Sequence, residues 1–259
     1  MNEFREIIDF YYQSNYGTFT EYMKTQSCEL YFSDCIKDNY YNHAIHLSGE
    51  PKEIFETHFN DFEKRNREAT IYITPLSPLY GKKLPKDFKK WASDAWMIAD
   101  KNKFKNIKDV KSDIETYLID EKDKKDYLDT FKNAFSNKDD VYGNVSDDYL
   151  VAENRFFEDK NGFKSNIFIA KQSDEPIGVI RTVTKNSLCF IYALAVIKEY
   201  RKKGEAAKVL GNIALKHAIN SGIETFILQT EAGSILERLY SIRGFKRAFT
   251  GNYYTLSDY

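Results

Sequence analysis

The stretch 188–230 constrains the fold more than any other. Leu188 to Val196 is nine nearly all-apolar residues, the pattern of a strand covered on both faces. A short basic loop follows, Arg201-Lys202-Lys203-Gly204. Val209, Leu210, Ile213, Ala214, His217 and Ala218 then recur at the 3/4 spacing of one helix face, and Gly222 suits the position just past the helix end. Thr225 to Thr230 is a second buried strand. Strand, basic glycine loop, helix and strand in this order fit an α/β architecture.

The flanks extend it. Residues 166–170 and 177–183 read as a strand pair across the turn cluster 172–176. Ser234 to Ile242 reads as a short helix ending at Gly244, and 245–256 as a closing pair of short strands. Upstream, 105–110 reads as a first strand. The segment 112–134 reads as a polar helix with Ile114, Tyr117, Leu118, Tyr127, Leu128 and Phe131 on one stripe, and 147–157 as another. Residues 102–259 thus form one complete unit.

Residues 1–101 contain a shorter one. A strand at 42–47 precedes a helix at 51–66, with Pro51 in its first turn. Ile54, Phe55, His58, Phe59 and Phe62 make its apolar face. A strand at 69–74, a short helix or turn at 87–92 and a strand at 95–99 complete it. The two halves rhyme. Ala69 to Pro75, Phe88-Lys89-Lys90 and Asp94 to Ile98 follow the order of Thr225 to Thr230, Phe245-Lys246-Arg247 and Asn252 to Leu256. This suggests a duplicated fold. The first copy has Ser48-Gly49-Glu50-Pro51 where the second has its basic loop.

Composition narrows the class. Of 259 residues, 38 are Lys or Arg and 39 Asp or Glu, a net of −1, which argues against bulk nucleic-acid binding. No apolar run reaches a membrane span and no leader pattern opens the chain, so neither membrane nor secretion is expected. Cys28, Cys35 and Cys189 form no C-x-x-C pair, which fits a reducing cytoplasm and speaks against a zinc site. Cys189 reads as a small buried hydrophobe, and His43 and His46 as residues on opposite strand faces that share no metal. The 19 Tyr and 19 Phe read as core filling.

The basic loop carries the chemistry. The first amides of a helix have no internal partners, and the dipole favours an anion there. Gly204 lets backbone approach a ligand, and Ala206 is small for the same reason. Arg201, Lys202 and Lys203 add positive charge. The loop is suited to a phosphate or pyrophosphate.

At these residues the chain resembles the GCN5-related N-acetyltransferase (GNAT) superfamily. Arg201-x-x-Gly204-x-Ala206 matches its motif [RQ]-x-x-G-x-[GA] after a strand, and Tyr240 stands four residues before Gly244-Phe245. The resemblance covers 102–259, most strongly 188–256. It implies a mixed central sheet flanked by helices, with 1–101 a degenerate GNAT-like domain lacking a cofactor loop. It implies transfer of an acetyl group from acetyl-CoA to a primary amine by direct attack, without a covalent enzyme intermediate. The pantetheine arm would bond to the strand at Leu194, Ala195 and Val196. The pyrophosphate would sit on the loop of Arg201, Lys202, Lys203, Gly204, Glu205, Ala206 and Ala207. Tyr240 would protonate the departing thiolate.

Two departures stand out. Where many members carry an Asn that holds the cofactor, this chain has Glu231-Ala232-Gly233-Ser234, so that contact passes to Ser234 or is lost. Glu205 puts an acid in the loop. Tyr240 has packing beside Phe245 as its other reading, and Glu231 is either a base for the amine or a solvated loop residue. Tyr192 is a wall of the acceptor pocket or plain packing. The acceptor is a small-molecule or peptide amine, with no nucleic-acid or membrane partner, and the protein a monomer or homodimer. The competing reading is a degenerate acyl-CoA sensor.

Overall fold

The computed structural model describes residues 3–136, 145–201 and 204–256. The chain forms two compact units, one of Ala99–Leu228 and one of Met1–Ile98 with Gln229–Tyr259.

In the unit 99–228 a sheet of five strands runs β10-β9-β8-β7-β6. These are β6 (Ile114–Leu118), β7 (Lys164–Gln172), β8 (Glu175–Lys185), β9 (Leu188–Val196) and β10 (Thr225–Glu231), whose last residues belong to the other unit. β6 to β9 are antiparallel neighbours, and β10 joins β9 in parallel. The crossover between β9 and β10 is helix α5 (Glu205–Asn220), as a parallel connection requires. Helix α5 covers one face, where Ala206, Leu210 and Ala214 meet Phe168, Ala170, Ile180 and Val196. Helix α3 (Lys124–Ala134) covers the other, where Tyr127, Phe131 and Ala134 meet Ile167, Ile169, Val179 and Ala195. Gly178 makes the close fit possible, since a Cβ there would lie 2.9 Å from the Ala195 carbonyl oxygen.

The other unit has the sheet order β1-β2-β3-β4-β11-β5. Its strands are β1 (Glu21–Lys24), β2 (Cys28–Phe32), β3 (His43–His46), β4 (Ile71–Ile73), β5 (Phe88–Asp100) and β11 (Lys246–Leu256). β3 and β4 are parallel, joined by helix α2 (Pro51–Glu63). The β9-α5-β10 connection has the same parallel strand-helix-strand form. Helix α1 (Glu3–Ser14) buries Ile7, Ile8, Tyr11 and Tyr12. Tyr12 stacks on Tyr31, and Tyr72 on Tyr253, so much of the aromatic surplus is core.

Several expected elements differ. Residues 105–110 form no strand, and 112–118 is not helix but the edge strand β6. Asp120 ends the strand there with a capping box before α3. The stretch 87–92 is the start of the long strand β5, and 245–256 is one long strand with bulges instead of two short ones. The compact units also divide the chain unlike a cut at 101/102. β11 is paired on one edge with β4 and on the other with β5, so the C-terminal segment belongs with the first hundred residues.

Candidate active site

The geometry of β9 comes first. Its ladder with β10 has three rungs, ending at Phe190 opposite Ile227. β9 then continues to Val196, and its register with β8 skips between Val179 and Arg181. At this bulge Ala193 takes φ 52°, a left-handed conformation rare for a residue with a Cβ. A bulge leaves a backbone unit outside the ladder and turns the strand locally. Leu194 is half-buried, whereas Ala195 and Val196 are buried.

After β9 the chain makes one 3-10 turn (Lys198–Tyr200) and enters α5. Gly204 is the N-cap residue at φ 64°, and no side chain caps the helix. A Cβ on Gly204 would meet nothing within 4 Å. The glycine is therefore required by its conformation, with open space beside it. The first amides of a helix without a side-chain cap suit an anion. Lys202 and Lys203 lie outside the described residues.

Two loop residues do something other than expected. Ala206 is 1 % exposed in the first turn of α5 and faces the sheet, so it is small to seat the helix rather than to admit a ligand. The Arg201 guanidinium donates from Nε to the Val196 carbonyl and from Nη2 to the Ala134 carbonyl, each at 2.8 Å. It ties the end of β9 to the last residue of α3, where the helix dipole favours a cation. Glu205 and Ala207 are half-buried on the first turn of α5.

The remaining expected residues belong to the unit that holds Gln229–Tyr259. Glu231 ends β10, half-buried. Ser234 is the N-cap of helix α6 (Ile235–Ile242), and its Oγ accepts the Glu237 amide at 3.2 Å. Glu237 accepts the Gly233 amide and both arms of Arg247. Burial opposes its charge, but these donors hold its carboxyl below the usual range. Tyr240 is half-buried on α6 and meets Phe245 edge-on at 5.9 Å between ring centroids.

Residues 126–245 match the family model described as the acetyltransferase (GNAT) family. Over those residues the chain resembles a GNAT domain. A GCN5-related N-acetyltransferase from Kribbella flavida superposes with a TM-score of 0.70 at 10 % identity, covering 99 % of this chain and 96 % of that one. A functionally unknown conserved protein from Staphylococcus epidermidis gives 0.70 at 11 % identity, covering 96 % and 98 %. A tandem GNAT protein from the clavulanic acid biosynthesis pathway gives 0.54 at 10 % identity, covering 88 % and 77 %. These likenesses establish the fold. A search of curated proteins gave no match.

The GNAT match includes β9, the loop, α5, β10 and α6, but not the β3-α2-β4 repeat. Helix α2 begins with Glu50 and Glu53, and His46 holds the Gly49 carbonyl. Inside the matched segment, burial pushes the Cys189 thiol well up, away from nucleophile chemistry. His43 contacts Tyr12, His46 contacts Ser77, and no metal-ligating cluster exists among the described residues. No described helix is long and apolar enough to cross a membrane.

Sequence reasoning passed over two features. The bulge at Ala193 has no sequence signal, because alanine does not advertise a positive φ. The other is a buried carboxylate, Asp94 on β5, bonded to Gln229. Its signal was an acid at an inward position of an apolar strand.

Proposed function

We propose that the GNAT domain transfers the acetyl group of acetyl-CoA to a primary amine on a small molecule or peptide. The observation that carries the reading is the uncapped start of α5, with Gly204 in the left-handed conformation and open space beside it, inside the matched segment. Those amides, with the charge of Lys202 and Lys203, would receive the pyrophosphate. The backbone of 194–196, beside the Ala193 bulge, would bond the pantetheine arm. The amine would attack the thioester directly, with Tyr240 protonating the thiolate.

Arg201 and Ser234 favour the sensor as a second reading, because each already serves its own backbone. Thermal unfolding with acetyl-CoA, followed by thiol release with added amines, separates the two. Acetyl-CoA should raise the melting temperature, and Gly204→Glu should abolish the rise by adding bulk and charge at φ 64°. Tyr240→Phe should cut turnover roughly a hundredfold with acetyl-CoA affinity retained. Binding without turnover on any amine would leave the sensor standing, and no shift in the wild type would sink both readings.

A further inference from the structure

Arg181 stands in β8, 2 % exposed, inside the unit 99–228. Its guanidinium is held in one orientation. Nε and Nη2 donate to the two oxygens of Glu153 at 3.0 and 2.8 Å, and Glu153 also accepts the Tyr127 hydroxyl. Glu153 lies on helix α4 (Asp147–Asn154). The ring centroids of Phe156 and Tyr192 stand 3.5 and 4.5 Å from the guanidinium carbon. These contacts use only part of what the group offers. Glu153 takes one donor from Nε and one from Nη2, which leaves both donors of Nη1. Nη1 is buried and has no hydrogen-bond partner among the described residues. Buried donors left unmet are costly and rare, so this edge points to a partner from outside the chain.

A second unmet group lies close by. β7 and β8 pair Ile167 with Arg181 and Ser165 with Val183, so Ser165 and Arg181 share a face of the sheet. The Ser165 hydroxyl is likewise buried without a partner among the described residues. That face is the one α3 covers, since Ile167 and Val179 meet Tyr127 and Phe131 on it. Helix α5, whose first turn suits a pyrophosphate, covers the opposite face, so the two unmet groups form a separate site. Its position ties it to acetyl transfer. Arg181 is in register with Tyr192, and the skip beside that pair is the Ala193 bulge, next to the backbone of 194–196. Ser165 and Tyr192, on the strands flanking β8, are half-buried.

We propose that Arg181 selects the acceptor: the free edge of its guanidinium, with the Ser165 hydroxyl, takes a carboxylate carried by the acceptor amine, so the substrate class is amino acids. This rests on the acetyl-transfer reading. A planar, rigid fork of donors matches a carboxylate, and the hydroxyl supplies a further donor beside it. The contacts with Glu153, Phe156 and Tyr192 fix the fork before the acceptor arrives, which reduces the ordering cost of binding.

The test is thiol release from acetyl-CoA with each proteinogenic amino acid and with its decarboxylated amine, phosphoethanolamine being a further acceptor. Acetyl-CoA affinity is followed by calorimetry. The wild type should favour its best amino acid over the matching amine about a hundredfold in kcat/KM. Arg181→Lys can keep an ion pair with Glu153 but loses the second edge, so it should erase that preference with acetyl-CoA affinity unchanged. Ser165→Ala should lower the preference about tenfold. A wild type that takes the amine as well as the amino acid, or prefers phosphoethanolamine to serine, overturns the proposal. So does an unmoved preference in folded Arg181→Lys, the result expected if that edge only holds a water. If Arg181→Lys does not fold, the Ser165→Ala preference decides alone. A wild type that binds no acetyl-CoA, or binds it and releases no thiol with any acceptor, defeats the transfer reading and the proposal with it.

Discussion

Burial pushes the Asp94 carboxyl from its ordinary 3.8 up to about 7, the hydrogen bonds from Tyr253, Gln229 and Tyr72 only partly offsetting it. A raised carboxyl favours the folded state fully below the unfolded value and loses that favour as pH rises through the folded one. Each unit is worth about 1.4 kcal/mol, so between pH 5 and 8 the folded state loses about 3 kcal/mol from this group. The raw curve will hide the loss. His43 is held down to about 3 by burial, so it contributes in the opposite sense, adding stability as pH rises toward 6.5. His46 and His217 are lowered as well and act the same way. The informative quantity is therefore the difference between wild type and Asp94→Asn at each pH, in which the histidines cancel. Both tryptophans, Trp91 and Trp96, lie on β5 in the unit that contains Asp94, so urea unfolding followed by tryptophan fluorescence reports that unit. Wild type should lose about 3 kcal/mol relative to Asp94→Asn between pH 5 and 8, on top of a constant offset from the altered hydrogen bonds. A difference that stays flat, or grows in favour of wild type, would refute the reasoning.

Three further outcomes are expected. Gly251→Ala should cost about 3 kcal/mol in the same fluorescence assay, because Tyr72 Oη and Cζ stand 1.9 and 2.2 Å from the new methyl; Tyr72→Phe should not rescue it, since the ring carbon remains. Glu153→Gln should cost about 3–5 kcal/mol by circular dichroism melts, because it strands the Arg181 guanidinium, which is 2 % exposed and sandwiched by Phe156 and Tyr192. Arg201→Ala should weaken acetyl-CoA binding by loosening the loop, yet leave its salt dependence as in wild type; a flatter dependence would mean that Arg201 meets the phosphates directly.

The sequence was most legible where the pattern was local. The apolar run 188–196 is strand β9 to the residue, and the 3/4 spacing after Gly204 is helix α5. The loop glycine was readable because only its conformation explains a glycine there. Misreadings arose where long-range pairing overrode local pattern. Ile114, Tyr117 and Leu118 sit at helical spacing, yet β7 offered an open edge and drew them into β6. Helix α1 is hidden in the sequence because its aromatic residues pack on strands distant along the chain, Tyr11 on Trp96 and Phe4 on Phe249.

The same logic explains why the candidate site was only half legible. Arg201 was read as a phosphate ligand because charge next to glycine is visible in sequence, whereas the Ala134 and Val196 carbonyls that receive it are not. Asp94 lay in plain sight as an acid among apolar residues, but its meaning depends on β11. Asp94 pairs in register with Gly251, from the far end of the chain, and only a glycine there lets Tyr72 reach the carboxyl. A cut at 101/102 assigns Asp94 and Gly251 to different domains and hides the contact. The pairing of β11 with β4 and β5 is thus what brings Gly251 and Tyr72 to a solitary acid on β5. Exchanging Gly251 for alanine should therefore alter the pH dependence of stability that Asp94 supplies, and a wild-type pH dependence in the folded variant would refute the link.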